Sequence, residues 1–203
     1  MPAFEVPLLV LFSVAVGAYL LGSVPFGLVV AKIMGLPDPR TIGSRNIGAT
    51  NVLRTGSKTA ALATVLLDGA KGLVAVLLAD ALTGEAAAQV AALFAFLGHC
   101  YSFLLQFKGG KGVATFLGAL FGLSFVLGAS ACLVWLIICV LTRYSSLSAI
   151  IAAIAVPVIA SVLGQTDKLI VLILLAIILI WRHRENISRL LAGHETKVGA
   201  SSK

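Results

Sequence analysis

The segment at residues 43–58, GSRNIGATNVLRTGSK, is rich in hydrogen-bond donors and contains no carboxylate. Its hydroxyl and amide side chains alternate with three cations, Arg45, Arg54 and Lys58, and with three glycines. Arg binds phosphate in a bidentate fork, and glycine lets backbone N–H groups approach a ligand closely. This composition predicts a phosphate-binding loop. The alternative is a solvated loop that caps a helix.

A second polar segment, FKGGKGVAT at residues 107–115, lies between two apolar stretches. Gly109, Gly110 and Gly112 free its backbone, while Lys108 and Lys111 supply positive charge, a design that phosphate loops share. The nucleotide-binding pattern GxxxxGK[ST] is not matched, because the first spacing is missing and valine follows the last glycine. We therefore expect an anion-binding loop that does not bind a nucleoside triphosphate.

Further polar groups lie near the ends of other apolar stretches. His99 closes the run before the glycine-rich segment, and a lone histidine there is more often structural than catalytic. In the segment 182–190, RHRENISRL, the arginines are typical of a membrane flank, and Glu185 is expected to pair with one of them. Ser146 follows Arg143 and is expected either to cap the next helix or to add a donor to the site.

Two ionisable residues, Asp68 and Lys71, lie inside an otherwise apolar stretch, 59–79. They are three residues apart and therefore share one helix face. Because charge inside a bilayer is costly unless it is paired, we expect the two side chains to pair with each other.

The elements that must position these groups are hydrophobic. The chain of 203 residues is 60% hydrophobic and 11% charged, whereas a soluble domain is about 25% charged. An integral membrane protein is therefore expected. The net charge of +7 is explained by basic residues that flank the apolar runs, so a nucleic-acid partner is not expected. The three cysteines form no CxxC pair, and neither a metal site nor another cofactor is indicated.

Basic residues mark the cytoplasmic side of a membrane protein. They cluster here in four places: 32–58, 108–111, Arg143 and 182–203. If all four are cytoplasmic, each intervening stretch contains an even number of spans. The stretches 59–107, 112–142 and 144–181 then give two spans each, with turns near 83–85, Gly128 and 164–168. With the first helix, the prediction is a single all-α domain over 1–203 with about seven transmembrane helices, several of them short, an outside N-terminus and a cytoplasmic C-terminus.

Five motifs, in this order, resemble those of the bacterial acyl-phosphate-dependent glycerol-3-phosphate 1-O-acyltransferases. They are GSVPFG (22–27), GSRNIGATN (43–51), LLDGAKG (66–72), GHCYSFLLQFKGGKGVAT (98–115) and RHRENISRLL (182–191). The resemblance implies a small seven-helix enzyme of the bacterial inner membrane, with its active site facing the cytoplasm. It implies acyl transfer from acyl phosphate to the sn-1 hydroxyl of glycerol 3-phosphate at the first step of phospholipid biosynthesis. It also implies contact with membrane lipid and functional coupling to the enzyme that forms acyl phosphate.

The resemblance also assigns site residues by position. Ser44, Arg54 and Lys111 match the residues central to activity, and Glu185 matches one thought to be structural. Further matches, expected to bind substrate, are Asn46, Thr50, Asn51, His99, Lys108, Gly109, Gly110, Gly112, Ser146, His183 and Asn186. The family usually has glycine where this chain has Arg45, so Arg45 is strained if the backbone there needs a positive φ; we expect a permissive backbone instead.

The expected mechanism places Lys111 and Arg54 on the phosphates and Ser44 on the acyl phosphate. A substrate phosphate oxygen is the preferred acceptor for the hydroxyl proton, with His99 and His183 as alternatives. The H-x-x-x-x-D pattern of thioester-dependent acyltransferases is absent, because the fifth residues after the three histidines are Leu104, Ser188 and Gly199. A phosphate or organic-anion transporter is the alternative function.

Overall fold

The computed structural model describes residues 6–199 of the chain. Within this range the chain forms ten α-helices and four short 3₁₀ helices, with no β-strand. The α-helices are α1 (Leu8–Gly22), α2 (Phe26–Ile33), α3 (Ala49–Val52), α4 (Lys58–Thr83), α5 (Glu85–Cys100), α6 (Val113–Leu123), α7 (Phe125–Thr142), α8 (Ser145–Val162), α9 (Leu169–Arg182) and α10 (Arg184–Leu191). The expectation of an all-α fold is confirmed. Lys203, which belongs to the last basic cluster, lies outside the described residues.

Five apolar segments are long enough to cross a bilayer, and their lengths run from 18 to 26 residues. They are Leu8–Ile33, Lys58–Thr83, Glu85–Leu105, Phe125–Thr142 and Ser145–Val162. The apolar helices α6 and α9 have only 11 and 14 residues. At ~1.5 Å per residue they are about 17 and 21 Å long, against a hydrocarbon core of ~30 Å. The chain is thus a multi-pass membrane protein. The number of transmembrane helices, about seven, stays a prediction.

The helix boundaries test the turns that were expected from the sequence. The turns near 83–85 and 164–168 are confirmed, because α4 ends at Thr83 and α8 ends at Val162. The prediction of a turn near Gly128 is wrong. The chain instead breaks at Ser124, whose backbone is extended, and Gly128 lies inside α7. A Cβ at Gly128 would lie 2.5–2.6 Å from the Phe121 ring, so this glycine serves the close packing of α7 on α6.

Small residues hold the helices together, as is usual where lipid removes the hydrophobic drive for association. The buried face of α5 is a row of alanines that runs from Ala87 to Ala95. Helix α6 crosses α4 at Gly118, where a Cβ would overlap the backbone of Gly69. Large apolar side chains face outward along the helices, including Leu82 and Ile170. The bundle is thus close-packed inside and apolar outside, as lipid requires.

The polar segments meet at one end of this bundle. The α2–α4 connection reaches the start of α8 through Thr50, whose Oγ1 lies 3.4 Å from the Ser145 Oγ. The α5–α6 connection is bonded to the end of α9 through Arg182. The chain after α10 returns to the α7–α8 turn, where the Val198 N–H donates to the Arg143 carbonyl at 2.7 Å. The four basic clusters are therefore gathered at one end, as the parity argument requires.

Candidate active site

The first wall of the site is the loop that contains GSRN, and Asn51 organises it. Asn51 is buried, and its side-chain N–H groups donate to the carbonyls of Pro39, Ile42 and Asn46 at 2.6–3.2 Å. Its Oδ1 accepts the backbone N–H of Ser44 at 3.0 Å. A single amide thus holds both sides of the loop. Asn51, expected to bind substrate, is placed where its polar atoms shape the backbone.

Two other predicted residues lie in this loop. Asn46 accepts the Gly48 N–H at 3.0 Å through its Oδ1, which closes a tight turn before α3. The Ser44 side chain is exposed, and its hydroxyl makes no hydrogen bond within residues 6–199. Ser44 is therefore presented to a ligand by a backbone that Asn51 fixes.

Arg54 lies across the same loop. Its Nη1 donates to the Asn51 Oδ1 at 3.3 Å, and its Cδ and Nη1 would each lie 2.7 Å from a Cβ at Gly43. Gly43 has a φ of +48°, so both its conformation and the guanidinium packed on it require glycine. The arrangement places a cation against the loop that carries Ser44, which suits a bound phosphate.

Arg45 has a φ of +55° and an exposed side chain. The left-handed region is unfavourable for residues with a Cβ, so the expectation of a permissive backbone is wrong and the alternative of strain applies. The loop before it explains the conformation, because Asn51 ties Ile42 and Ser44 on one side and Asn46 on the other.

The glycine-rich loop forms the second wall, and Arg182 clamps it. The Arg182 Nε donates to the Gly110 carbonyl at 3.1 Å and its Nη2 to the Gly109 carbonyl at 2.9 Å. The guanidinium also stacks on Tyr101, with its Cζ 5.0 Å from the ring centroid. Gly112 adopts a φ of +80° and immediately precedes α6. The sequence indicated only that Arg182 marks the cytoplasmic end of an apolar run. The structure shows that it also fixes the glycine-rich loop.

The two lysines of this loop occupy different environments. Lys108 is exposed and, with Arg40, lines a cavity of about 330 Å³. Lys111 is half-buried, and burial lowers its pKa from 10.5 to about 8, assisted by the positive charge of Arg189. A desolvated ammonium that still carries its proton at neutral pH is a strong partner for a phosphate.

A buried charge cluster lies beneath the glycine-rich loop. The Lys71 Nζ lies 2.7 Å from the Asp68 Oδ1, so the expected pairing is confirmed, and it also donates to the Val24 carbonyl at 2.8 Å. The His99 Nδ1 lies 3.5 Å from the same Asp68 oxygen. The His99 ring packs against Gly110, and a Cβ there would overlap it. His99 thus supports the loop from below, and Lys71 satisfies a carbonyl in the break between α1 and α2.

The third wall gathers side chains from α8, α10 and the C-terminal tail around one carboxylate, that of Glu195. Ser146 and Asn186 donate to the Glu195 Oε1 at 2.7 and 2.6 Å, and the Arg189 Nε donates to its Oε2 at 2.7 Å. Glu195 was not among the residues expected from the sequence. The pairing expected for Glu185 is wrong within residues 6–199: Glu185 is exposed, and Arg189 pairs with Glu195 instead.

His183 lies beside this wall and is buried. Its Nδ1 is 2.9 Å from the Leu179 carbonyl, which can only accept, so the proton is on Nδ1 and Nε2 is left as an acceptor. Burial, together with the positive charge of Lys111, lowers the pKa of His183 to about 4. The ring is therefore neutral at physiological pH and is a weak proton acceptor.

The structure thus brings Ser44, Arg54, Lys111, Ser146, His183 and Asn186 to one end of the bundle. The charge of Lys111 lowers the pKa of His183, and the carboxylate of Glu195 raises the pKa of Lys111, so these groups are close in space. Within residues 6–199, no group of three His, Cys, Asp or Glu side chains is arranged to hold a metal ion. The chemistry that the site can perform is the binding of anionic groups by cations, hydroxyls and backbone N–H groups.

Comparisons with known proteins agree with this geometry. A family model described as "Glycerol-3-phosphate acyltransferase" matches residues 12–193. Among curated proteins, a glycerol-3-phosphate acyltransferase of Ruegeria sp. (strain TM1040) is 58% identical over 200 residues, which covers 98% of each chain. One from Jannaschia sp. (strain CCS1) is 52% identical over 201 residues, which covers 99% of each chain.

Two solved structures are similar to the whole fold. One is PlsY (YgiH), an integral membrane glycerol 3-phosphate acyltransferase, in its glycerol 3-phosphate form. It has a TM-score of 0.88 and 41% identity, over 93% of this chain and 96% of that one. The other is the lysophosphatidic acid form, with a TM-score of 0.86 and 39% identity, over 92% of this chain and 94% of that one.

Proposed function

Because the chain belongs to the glycerol-3-phosphate acyltransferase family, we propose that it acylates the sn-1 hydroxyl of glycerol 3-phosphate directly from acyl phosphate. Acylation of glycerol 3-phosphate is the family's reaction, and the enzyme acts in phospholipid biosynthesis. The same match decides against the alternative of a phosphate or organic-anion transporter.

The observation that carries the choice of donor is the gathering of separate cationic groups at one end of the bundle. Arg54 lies over the GSRN loop, and Lys111 lies against the third wall. A reaction between acyl phosphate and glycerol 3-phosphate brings two phosphates together, and their repulsion must be offset by positive charge. We assign Arg54 and Ser44 to the acyl phosphate and Lys111 to a phosphate at the other side.

The chemical step balances without a cofactor. The glycerol hydroxyl oxygen attacks the acyl carbon, the bond between that carbon and the phosphate oxygen breaks, and inorganic phosphate leaves. The hydroxyl proton passes to a phosphate oxygen. Two features support this assignment: the low pKa of His183 makes it a poor base, and His99 is buried beneath the loop, with its ring against Gly110. Positioning and charge stabilisation then supply the rate enhancement.

The proposed setting is the inner membrane of a bacterium, with about seven spans, an outside N-terminus and the site at the cytoplasmic face. The gathering of the four basic clusters at one end supports this orientation. Acyl phosphate is amphiphilic, so its tail enters from the lipid and its head reaches the charged end. Functional coupling to the enzyme that forms acyl phosphate follows from the same proposal, since the donor must be supplied at this surface.

The test uses purified protein in detergent with glycerol 3-phosphate and one of two donors, palmitoyl phosphate or palmitoyl-CoA. We expect lysophosphatidic acid and an equal amount of phosphate from palmitoyl phosphate, and no product from palmitoyl-CoA. The product is treated with a phosphatase and then with periodate, which cleaves the vicinal diol of a 1-acylglycerol and leaves a 2-acylglycerol intact. Mass spectrometry then identifies the acylated hydroxyl. Turnover with palmitoyl-CoA alone would overturn the proposed donor.

A further inference from the structure

The carboxylate of Glu195 is held firmly in the third wall. Its side chain is 9% exposed and receives three hydrogen bonds, two of them from Ser146 and Asn186 at the same oxygen, Oε1. Burial disfavours the charged carboxylate, but the bonds from Asn186, Ser146 and Arg189 outweigh it and keep the pKa of Glu195 below its usual range. The group is therefore an ionised acceptor at neutral pH.

The backbone around Glu195 fixes its position. On one side the His194 N–H donates to the Arg189 carbonyl at 2.8 Å. On the other side Val198 and Arg143 exchange two hydrogen bonds, at 2.7 and 3.0 Å, and the Lys197 Nζ lies 5.6 Å from the Tyr144 ring centroid. The tail thus forms a strap from α10 to the α7–α8 turn, and Glu195 lies between its two attachments.

An ionised carboxylate accepts hydrogen bonds and cannot donate them. The hydroxyl proton of Ser146 is therefore committed to Glu195, and Ser146 can offer other groups only its lone pairs. The amide of Asn186 must likewise present its NH₂ to Glu195, which turns its Oδ1 away. That oxygen is buried and has no partner within residues 6–199, while the side chain it belongs to is 5% exposed.

The two acceptors belong to side chains that bond to the same carboxylate oxygen. Acceptors are unsuited to a phosphate, whose oxygens are also acceptors. They suit a hydroxyl that keeps its proton. The attacking hydroxyl gives its proton away, whereas the second hydroxyl of glycerol 3-phosphate keeps it throughout and needs an acceptor. An unpaired buried acceptor is costly, so a ligand hydroxyl that bonds to it gains what the free site lacks.

We infer that Glu195 is a positioning residue that turns Ser146 and Asn186 into a pair of acceptors for the non-reacting hydroxyl of glycerol 3-phosphate. The inference rests on the proposed function. It gives the site a way to distinguish glycerol 3-phosphate from a phosphate that lacks the second hydroxyl. The tail strap is then part of the substrate-binding site although Glu195 itself touches no substrate.

The test compares glycerol 3-phosphate with 3-hydroxypropyl phosphate, which keeps the phosphate and the reacting hydroxyl but lacks the second hydroxyl. Palmitoyl phosphate is the donor for both. We expect the wild-type protein to prefer glycerol 3-phosphate by about 10- to 100-fold in kcat/KM, the range for one hydrogen-bonded hydroxyl in a buried site. In Glu195→Met both acceptors are free to reorient, and we expect this preference to fall by about tenfold or more, mainly through KM for glycerol 3-phosphate.

Glu195→Gln is the conservative variant. Because Ser146 and Asn186 both bond to Oε1, a single amide oxygen can replace it, and the half-exposed Arg189 can turn to solvent. We expect Gln to retain most of the preference that Met loses. Glu185→Gln is the matched control: it removes the same charge near Lys111 from an exposed position on α10, and we expect the wild-type preference.

Several outcomes would overturn the inference: a wild-type preference near one, an equal loss for both substrates in Glu195→Met, or a Gln variant as impaired as Met. If the Met variant does not fold, Ser146→Ala decides, because it removes one acceptor and leaves Glu195 bonded to Asn186; an unchanged preference there contradicts the inference. Failure of the proposed function is distinct, since the wild-type protein would then turn over neither substrate with palmitoyl phosphate.

Discussion

The activity of this enzyme is expected to fall at mildly alkaline pH because of Lys111. Its pKa lies at about 8, below the ordinary 10.5, because burial and the neighbouring Arg189 disfavour the charged form. The proton that binds a phosphate is therefore lost as pH rises through about 8. With that pKa, the protonated fraction falls from about 90% at pH 7 to about 10% at pH 9, so kcat/KM for glycerol 3-phosphate should fall about tenfold between them.

The assay is phosphate release in detergent with palmitoyl phosphate, corrected at each pH for spontaneous hydrolysis of the donor. Substrate titration does not produce the fall, because the second pKa of a phosphate monoester is about 6. Lys111→Arg tests whether deprotonation of Lys111 causes the fall in activity, since a guanidinium stays protonated over the whole pH range. We expect the variant to be slower than the wild-type protein but to show no fall up to pH 9.

Lys58→Arg is the control, because Lys58 is exposed at the start of α4, and its profile should match that of the wild-type protein. The reasoning is refuted if the wild-type profile is flat to pH 9, or if Lys111→Arg shows the same fall. Either result would mean that the charge of Lys111 does not limit substrate binding.

Three further predictions follow from single contacts. Arg45→Gly should remove a left-handed conformation that costs about 1 kcal/mol and raise the melting temperature in detergent by about 2–4 °C; an unchanged melting temperature would mean that Arg45 is unstrained. Asp68→Leu or Lys71→Met should each cost about 3–5 kcal/mol of stability, whereas the Asp68→Leu/Lys71→Met double variant should lose less than the sum; additive losses would show that the pair is uncoupled. His183→Ala should lower kcat by less than about 100-fold, because a neutral ring with a pKa near 4 is a poor base; a loss of about 10³-fold with unchanged binding would make His183 the base.

Much of the architecture was predictable from the sequence because it depends on gross physical properties. Charge-free apolar runs define helices, and the Gly84 and Gly164 turns interrupt them where charge returns. The division of 112–142 into two helices was also predictable from the parity of basic clusters. Its turn was misplaced because glycine marks close packing as well as turns, and Gly128 packs on Phe121 while Ser124 breaks the helix.

The site was predictable as a set of segments but not as a set of contacts. The donor-rich composition of 43–58 identified the first loop, yet nothing local distinguishes Asn51, which holds the backbone, from Ser44, which is exposed. The role of Arg182 was missed because its partners in the glycine-rich loop lie 72 and 73 residues away in the chain. Glu195 was missed because it joins its own segment to Ser146, which lies 49 residues away. The available signal for Glu195 was weak: a lone acid in a basic tail, with no apolar periodicity to place it.

The central claim is that one site holds both phosphates so that the acyl group passes directly between substrates. Initial-rate kinetics test it most directly, with palmitoyl phosphate and glycerol 3-phosphate varied together and an acyl phosphonate as a non-transferable analogue of the donor. We predict intersecting double-reciprocal lines, competition of the phosphonate with palmitoyl phosphate only, and no phosphate release without glycerol 3-phosphate. Parallel lines, together with a burst of phosphate in the absence of glycerol 3-phosphate, would reveal an acyl-enzyme and contradict direct transfer.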